Sequence, residues 1–434
     1  MPGAIQILYG RGTLPVVLPD GCRATVIEKP PMPHLRNPSE VLERALESPS
    51  SGDSLSALAR KAKSACILIC DITRPVPNGL ILPPVIRTLL NGGIPASRIC
   101  VLVATGLHRP NLGAELRELV GSDWVLKTVR VENHDAYDLA AHRDLGQTAS
   151  GTPVKLDRRL VEADLKIVTG LVEPHFMAGY SGGRKVIAPG VAHASTIGTF
   201  HSTRFMEDPD VCNCNFDGNT LHAEQVEIVR GLGPVYAVNI CLDAERRPAF
   251  LNFGEVFASH AEAVDFMRPF AEISVAEPYR CVVASGAGYP LDKTYYQTVK
   301  GIVGALGIME EGGSLLIASE CSEGFGSKEF RDAQSLLVRQ GIEGFLAEAR
   351  QRSIAKVDEW QTVKLIEAIR NHRVHLFAAG LTDADKALTG VVCHPTWQEA
   401  IEAVVDESGA TEVAVIPEGP YVIPFVERQL VPAA

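Results

Sequence analysis

The stretch ACILICDITRPVPN, residues 65–78, decides the fold class. Its first six residues are all apolar, which is the pattern of a strand buried on both faces of a sheet. A proline-rich turn then leads into a helical pattern that runs through PPVIRTLLNGG. Apolar runs recur at RICVLVA (98–104) and DLKIVTG (164–170), each followed by a loop with glycine, proline or histidine. This alternation predicts an α/β fold with mainly parallel sheets.

The second half of the chain repeats the alternation from about residue 278. Its predicted strands are YRCVVAS (279–285), GSLLIAS (313–319), RVHLFAA (373–379) and EVAVIPE (412–418), with helical patterns between them. A chain of 434 residues exceeds the size at which one hydrophobic core stops growing. We therefore predict two α/β domains, residues 1–272 and residues 273–434, with the active site in the cleft between them.

Composition narrows the classes of function. The net charge is −11, which argues against nucleic acid as the main partner because phosphate binding needs a basic surface. No apolar run is long enough to span a membrane, and the first residues lack the pattern of a signal peptide. Several of the ten cysteines lie inside apolar runs, as buried reduced thiols do. We expect a cytoplasmic protein without a membrane or nucleic-acid partner.

Polar residues are concentrated directly after the predicted strands, where open α/β sheets bind ligands. In DITRPVPN, Arg74 stands near Asp71 on a turn stiffened by two prolines. The pair predicts a preorganised fork for a substrate carboxylate or phosphate, and the alternative is an ion pair that only stabilises the turn. In ATGLHRP (104–110), His108 follows the next strand and has a counterpart in His175. Two such histidines suggest acid–base chemistry near neutral pH.

The segment EPHFMAGYSGGRKVIAPGVAHASTIGTFHS, residues 173–202, holds the densest set of reactive residues. The pair Gly182–Gly183 permits close backbone approach or positive φ, and Arg184 and Lys185 follow it. Their order does not match the phosphate-binding pattern GxxxxGK[ST]. Backbone amides and Arg184 remain candidates to hold a phosphate, which leaves Lys185 as a nucleophile. His201 has no complete set of metal ligands near it in the sequence, so any further ligands must come from elsewhere.

A fourth loop, GAGYPLDKTYYQTVK (286–300), begins with G-x-G but lacks the third glycine of the dinucleotide-binding fingerprint. Tyr296 and Lys300 are four residues apart, with Gln297 beside Tyr296, so the first two share one helical face. That face is either part of a binding site or an ordinary amphipathic helix surface.

Together these blocks resemble the nickel-dependent lactate racemase family, whose members use a nickel-pincer nucleotide. The resemblance is carried by DITRPVPN, ATGLHRP, EPHFMAGYSGGRK, His201-Ser202 and GYPLDKTYYQTVKG, in the family's order and over both halves of the chain. It implies an isomerase, a racemase or epimerase that inverts C2 of a small 2-hydroxycarboxylic acid such as lactate. It also implies that the C2 hydrogen leaves and returns as hydride, through a 2-keto acid intermediate.

The resemblance implies a role for each matching residue. His108 and His175 match the paired acid–base histidines. Lys185 matches the lysine linked covalently to the cofactor, a pyridinium bis-thiocarboxylic acid mononucleotide, and His201 matches the protein ligand to nickel. The remaining matches are contacts of the substrate (Asp71, Arg74, Tyr296, Gln297, Lys300 and Trp360) and of the cofactor (Thr73, Gly182, Gly183 and Arg184).

The sequence leaves alternatives open. Malate or another larger hydroxy or sugar acid would undergo the same chemistry. A pyridoxal-type enzyme would use Lys185 as its Schiff-base lysine. A non-catalytic carboxylate- or nucleotide-binding protein would keep Arg74 and the glycines but would not need both histidines. The resemblance also implies partner proteins that mature the cofactor, and whether copies of the chain form a homo-oligomer stays open.

Overall fold

The structure, a computed structural model, describes residues 5–427. The chain forms two α/β units, each with one six-stranded sheet. The central unit comprises residues 31–200 and 215–268. The terminal unit comprises the described residues 5–30, 201–214 and 269–427.

The sheet of the central unit is built from the apolar runs noted in the sequence. The strand Ala65–Cys70 pairs in parallel with Ile99–Ala104 on one side and with Leu165–Leu171 on the other. Ile67 and Val101 are fully buried, as expected for strands that are covered on both faces. Five strands run parallel and the sixth is antiparallel at one edge. In spatial order the strands are Pro248–Glu255, Tyr236–Leu242, Leu165–Leu171, Ala65–Cys70, Ile99–Ala104 and Arg130–Asn133.

The first helix of the central unit buries one apolar face. Leu42 and Leu46, four residues apart, are both buried on the helix Pro38–Glu47. Two short antiparallel pairs complete the unit, His142–Gln147 with Pro153–Asp157 and Pro174–His175 with Gly179–Tyr180. The helices are Pro38–Glu47, Leu55–Lys61, Asn78–Asn91, Gly113–Val120, Asp123–Thr128, Arg158–Val161, Ala194–Phe200, Thr220–Arg230 and Val256–Ala271, and the last extends to the start of the terminal unit.

The sheet of the terminal unit is parallel throughout. Its strands, in spatial order, are Val392–Cys393, Arg373–Phe377, Met309–Ala318, Tyr279–Ser285, Glu412–Ile416 and Arg23–Val26. The helices are Thr203–Met206, Tyr295–Gly304, Lys328–Ala349, Glu359–Asn371, Asp383–Lys386 and Trp397–Ser408. Both units are therefore α/β with mainly parallel sheets, which confirms the predicted fold class.

The units differ from the predicted domain 1–272 in two places, since residues 5–30 and residues 201–214, which carry His201, belong to the terminal unit. The strand Arg23–Val26 pairs in parallel with Glu412–Ile416. The hairpin Ile5–Tyr9 with Gly12–Val16 also contributes Ile7 and Val16 to the hydrophobic core of the terminal unit. These contacts join residues at opposite ends of the sequence, so no local pattern reveals them.

The cysteines agree with the expectation of buried thiols. All ten cysteines lie in the described range and are free thiols, and most of them are buried. Within residues 5–427, no helix is long and apolar enough to cross a membrane.

Candidate active site

Three neighbouring strands of the central sheet carry the polar loops at their carboxyl ends. Asp71 follows Ala65–Cys70, His108 follows Ile99–Ala104 and Glu173 follows Leu165–Leu171. Parallel strands end at the same edge of a sheet, so their loops converge there. The predicted catalytic residues of the central unit therefore come from a single edge.

Asp71 supports His108. The carboxylate oxygen Oδ2 of Asp71 lies 2.6 Å from Nδ1 of His108, and Oδ1 accepts bonds from the amide (3.2 Å) and the hydroxyl (2.5 Å) of Thr73. Burial alone would raise the pKa of the Asp71 carboxyl, but the hydrogen bonds from His108 and Thr73 lower it below its ordinary value. Asp71 is thus held as a carboxylate, and it fixes the orientation of the His108 ring.

Arg74 lies near two carboxylates. Its Nε lies 3.7 Å from Oε1 of Glu173, and both side chains are half-buried. Its charge also helps to lower the pKa of Asp71, the carboxylate that the sequence places beside it, although the hydrogen bond to Asp71 comes from His108. Glu173 was not among the predicted site residues, although its place directly after a buried strand and before Pro174-His175 was a usable signal.

His175 is fixed by backbone amides. It lies on the two-residue strand Pro174–His175 and stands opposite Gly179. Its Nδ1 accepts hydrogen bonds from the amides of Met177 (3.3 Å) and Ala178 (3.1 Å). The support of His175 is therefore a pair of neutral donors, whereas that of His108 is a charged acceptor.

Lys185 occupies a short 3₁₀ turn, Gly183–Val186, and its side chain is half-buried. Burial, reinforced by the nearby charges of Arg74 and Arg184, lowers the pKa of its amine to about 8. Cys70 and Glu173 oppose that change only in part. About a tenth of the amine is uncharged at pH 7, far more than for an ordinary lysine, and the uncharged form is the nucleophile.

Both glycines before Lys185 are required by the protein itself. Gly182 (φ +80°) and Gly183 (φ +47°) adopt the left-handed region. A Cβ on Gly183 would lie 2.9 Å from the His260 ring, and one on Gly182 would lie 2.9 Å from Val172. The turn that carries Lys185 is therefore packed closely against its surroundings.

Arg184 is turned into the protein. Its side chain is almost fully buried, and Nη2 donates to the carbonyl oxygens of Ala178 (2.6 Å) and Tyr180 (3.4 Å). The guanidinium carbon lies 4.8 Å from the centre of the Phe216 ring. Its Nε and Nη1 have no hydrogen-bond partner among the described residues. In this structure Arg184 holds the loop that carries His175.

The other predicted residues cluster in the terminal unit. The ring centres of His201 and Trp360 are 4.7 Å apart, and Nε1 of Trp360 donates to the hydroxyl of Tyr296 at 3.3 Å. Lys300 and Gln297 lie with Tyr296 on the helix Tyr295–Gly304, and all three are half-buried. That face is thus not the plain exposed surface of an amphipathic helix.

The segment that carries His201 is tied to the terminal unit by two contacts that sequence reasoning missed. The buried amine of Lys364 donates to the carbonyl oxygen of Val211 at 2.6 Å. Arg350 forms two bonds with the Glu207 carboxylate, at 2.8 and 2.6 Å. Lys364 stands four residues after Trp360 on the helix Glu359–Asn371, so one helix contacts the segment at two points.

The donor set fits the cofactor that the resemblance implies. Within residues 5–427, no three His, Cys, Asp or Glu side chains are grouped so as to hold a metal ion. A single imidazole such as His201 suits a metal whose other ligands belong to a bound cofactor, and nickel accepts imidazole. The low-pKa amine of Lys185 suits an acyl-type linkage.

We expect Lys185 of the cofactor-free protein to react with acetic anhydride half-maximally near pH 8, because its amine is uncharged above that pH. An ordinary exposed lysine reaches the same point near pH 10.4, about two units higher. Competitive labelling over a pH series, read by peptide mass spectrometry, measures both.

The exposed Lys63, in the same digest, is the internal reference for the amount of reagent. Half-maximal labelling of Lys185 near pH 10.4, the value of an ordinary lysine, would contradict the lowered pKa.

Comparisons with known proteins cover nearly the whole chain. Residues 9–212 match the family described as lactate racemase N-terminal domain, and residues 275–424 match the lactate racemase C-terminal domain. The lactate racemase of Lactiplantibacillus plantarum is 33% identical over 391 residues, which are 88% of this chain and 90% of that protein. The lactate racemase of Thermoanaerobacterium thermosaccharolyticum is 30% identical over 379 residues, 85% of this chain and 87% of that protein.

Solved structures agree with these matches. The lactate racemase apoprotein from Thermoanaerobacterium thermosaccharolyticum superposes with a TM-score of 0.89 at 26% identity, covering 98% of this chain and all of that one. A protein from Thermotoga maritima shares the fold with a TM-score of 0.67 at 17% identity, covering 90% of this chain and 97% of that one. The chain belongs to the lactate racemase family and is, with that family, an isomerase.

Proposed function

We propose that this protein interconverts the two enantiomers of lactate, or of a similarly small 2-hydroxy acid, by removing and returning the C2 hydrogen as hydride. The observation that carries the proposal is the edge of the central sheet, which places an Asp71-supported histidine and an Arg74–Glu173 pair on adjoining loops. An acid–base group and a carboxylate-binding group are what a 2-hydroxy acid requires. The names of both curated relatives favour lactate.

Hydride removal suits this substrate for an electrostatic reason. Taking a proton from C2 would create negative charge beside a carboxylate, and the repulsion would raise the barrier. A nickel-pincer nucleotide, when bound, supplies the acceptor for the hydride, and the substrate becomes a 2-keto acid. His108 takes the hydroxyl proton on one face of the substrate, and His175 serves the other face.

Other residues bind and orient. Arg74 and Lys300 hold the carboxylate throughout, which keeps the keto acid from leaving. Tyr296, Gln297 and Trp360 contact the substrate, and Asp71 acts on it through His108. These assignments follow the family motifs and agree with the burial of each side chain.

Cofactor contacts are assigned in the same way. Lys185 would form the covalent link, His201 would ligate nickel, and Thr73, Gly182 and Gly183 would lie beside the nucleotide. Arg184, which the sequence also suggested as a cofactor contact, would act through the loop that carries His175, because its side chain is buried against Ala178 and Tyr180. Partner proteins build and load this cofactor. We place the protein in the cytoplasm, where such thiols stay reduced.

A dicarboxylate such as malate would need a second cation near its distal end, and Lys293 and Arg204 are candidates by their charge alone. Lys293 forms an ion pair with Glu323, and its amine lies 5.8 Å from the centre of the Tyr289 ring. Arg204 is exposed and lies over Phe205. A second carboxylate would have to compete with these contacts, so malate is the second candidate.

Cofactor-loaded protein is expected to convert L-lactate that is deuterated at C2 into a racemic mixture that keeps the label. Hydride transfer within a closed site returns the same hydrogen, whereas proton abstraction exchanges it with solvent. Chiral chromatography with mass spectrometry measures enantiomer and label together.

The substrate range is defined by assaying malate, 2-hydroxybutyrate and a sugar acid under the same conditions as lactate. Faster racemisation of malate would reject the short-substrate assignment, and loss of deuterium to water would reject hydride transfer. Failure to racemise any of the four acids, with cofactor present by mass, would reject the proposed function.

A further inference from the structure

The hydrogen-bond partners of His108 and His175 favour a proton on different nitrogens of the two imidazole rings. Nδ1 of His108 faces the Asp71 carboxylate at 2.6 Å, and a carboxylate oxygen only accepts hydrogen bonds. Nδ1 of His175 faces the amides of Met177 and Ala178, and amides only donate. His108 therefore carries a proton on Nδ1, whereas His175 gains one there only by losing both amide bonds.

The location of the single proton in each neutral ring follows. Neutral His108 carries it on Nδ1, so its Nε2 presents a lone pair that accepts protons. Neutral His175 carries it on Nε2, which then donates. A proton on Nδ1 of His175 would point at two N–H groups and would break both backbone bonds. The two rings, which the sequence presents as equivalent, differ in the folded protein.

Arg184 explains how the amide of Ala178 is kept in place. The guanidinium Nη2 donates to the carbonyl oxygen of Ala178 at 2.6 Å, and the amide of the same residue donates to His175. A second bond from Nη2 reaches Tyr180, which pairs with the strand that contains His175. A buried arginine with two unpartnered nitrogens among the described residues is costly, and this contact gives it a role.

We propose that the protein holds His108 and His175 in opposite tautomers, and that Arg184 is the positioning residue that fixes the tautomer of His175 through Ala178. The inference rests on the proposed function for its catalytic meaning. As folded, Nε2 of His108 accepts the hydroxyl proton of one enantiomer, and the ring then carries protons on both nitrogens, while the Nε2–H of neutral His175 donates a hydrogen bond to the substrate oxygen. To accept the hydroxyl proton of the other enantiomer, His175 must first move its own proton from Nε2 to Nδ1, which breaks the bonds from the amides of Met177 and Ala178.

The direct test is nitrogen-15 NMR of the full-length, cofactor-free protein labelled in its histidine rings, at about pH 8.5, where an ordinary imidazole is neutral. Resonances are assigned with His108→Gln and His175→Gln. We expect a one-bond proton coupling at Nδ1 of His108 and at Nε2 of His175. The same tautomer in both rings would overturn the proposal, whether or not the protein racemises lactate.

Two variants separate positioning from stability. Arg184→Met keeps an apolar side chain but removes the donor to Ala178. We expect His175 to show signals of both tautomers while the signal of His108 is unchanged. We also expect kcat to fall about tenfold while KM stays the same. Arg184→Lys retains a donor and is expected to restore much of the single-tautomer signal of His175 and much of kcat. Asp71→Asn is the mirror control, since it alters the His108 signal alone. An unaltered His175 signal in Arg184→Met would remove Arg184 from the proposal.

Absence of racemase activity in the wild-type, cofactor-loaded protein would reject the proposed function and leave the tautomer result standing. The cofactor-free NMR sample and the cofactor-loaded activity sample therefore tell the two failures apart.

Discussion

Lys185→Ala abolishes covalent attachment of the cofactor, so protein made together with its maturation partners has the intact mass of the unmodified chain. The reason is chemical as well as positional. Lys185 combines a half-buried amine of pKa about 8 with a closely packed glycine turn that holds it beside the strand end. Racemase activity is expected to fall about a thousandfold or more, because the group that transfers hydride is no longer anchored.

The matched control is Lys63→Ala, which removes an exposed lysine of the same unit and should keep both the adduct and the activity. Lys185→Arg adds a second check, since it keeps a positive charge that cannot form the link. An adduct of unchanged mass in Lys185→Ala would refute the assignment of this lysine.

His108→Ala and His175→Ala are each expected to keep the cofactor and lose racemisation. Proton transfer by a positioned side chain contributes roughly 10²- to 10⁴-fold, so a loss of that size is expected in each variant. His108→Ala should change the free energy of unfolding little, because the His108 side chain is 64% exposed. Intact mass reports cofactor retention, and initial rates of enantiomer interconversion report activity.

His34→Ala is the control for removing a histidine of the central unit, because His34 is exposed and lies outside the site. Full activity in His108→Ala or in His175→Ala would disprove the acid–base pair. Loss of the adduct in either variant would show that the histidine serves loading rather than proton transfer.

The sequence predicted what depends on short stretches of chain. Apolar runs such as ACILIC and YRCVVAS became strands within one residue of their expected limits, since a strand covered on both faces must be apolar along its length. The strand Arg23–Val26 has no such run, and its pairing with Glu412–Ile416 joins residues nearly 390 positions apart. Long-range pairing of that kind depends on the fold of the whole unit and not on the residues of the strand alone.

Motifs located the candidate site, but their internal pairing was beyond them. The sequence placed Arg74 beside Asp71, and the charge of Arg74 does help to lower the pKa of Asp71. The hydrogen bond between His108 and Asp71 and the ion pair of Arg74 with Glu173 were not predicted, because these partners lie in other loops of the chain. The burial of Arg184 was not predicted either. Its charge suggested a contact with an anion, but the fold buries the side chain.

The edge strand Arg23–Val26 has a consequence for synthesis on the ribosome. Its partner Glu412–Ile416 is made last among the strands of that sheet, whereas the strands of the central sheet are all complete by Glu255. At about 5–20 residues per second, the early strand waits roughly 20–80 s with its backbone unpaired. Chaperones that shield nascent chains should therefore matter more for the first thirty residues than for any later strand.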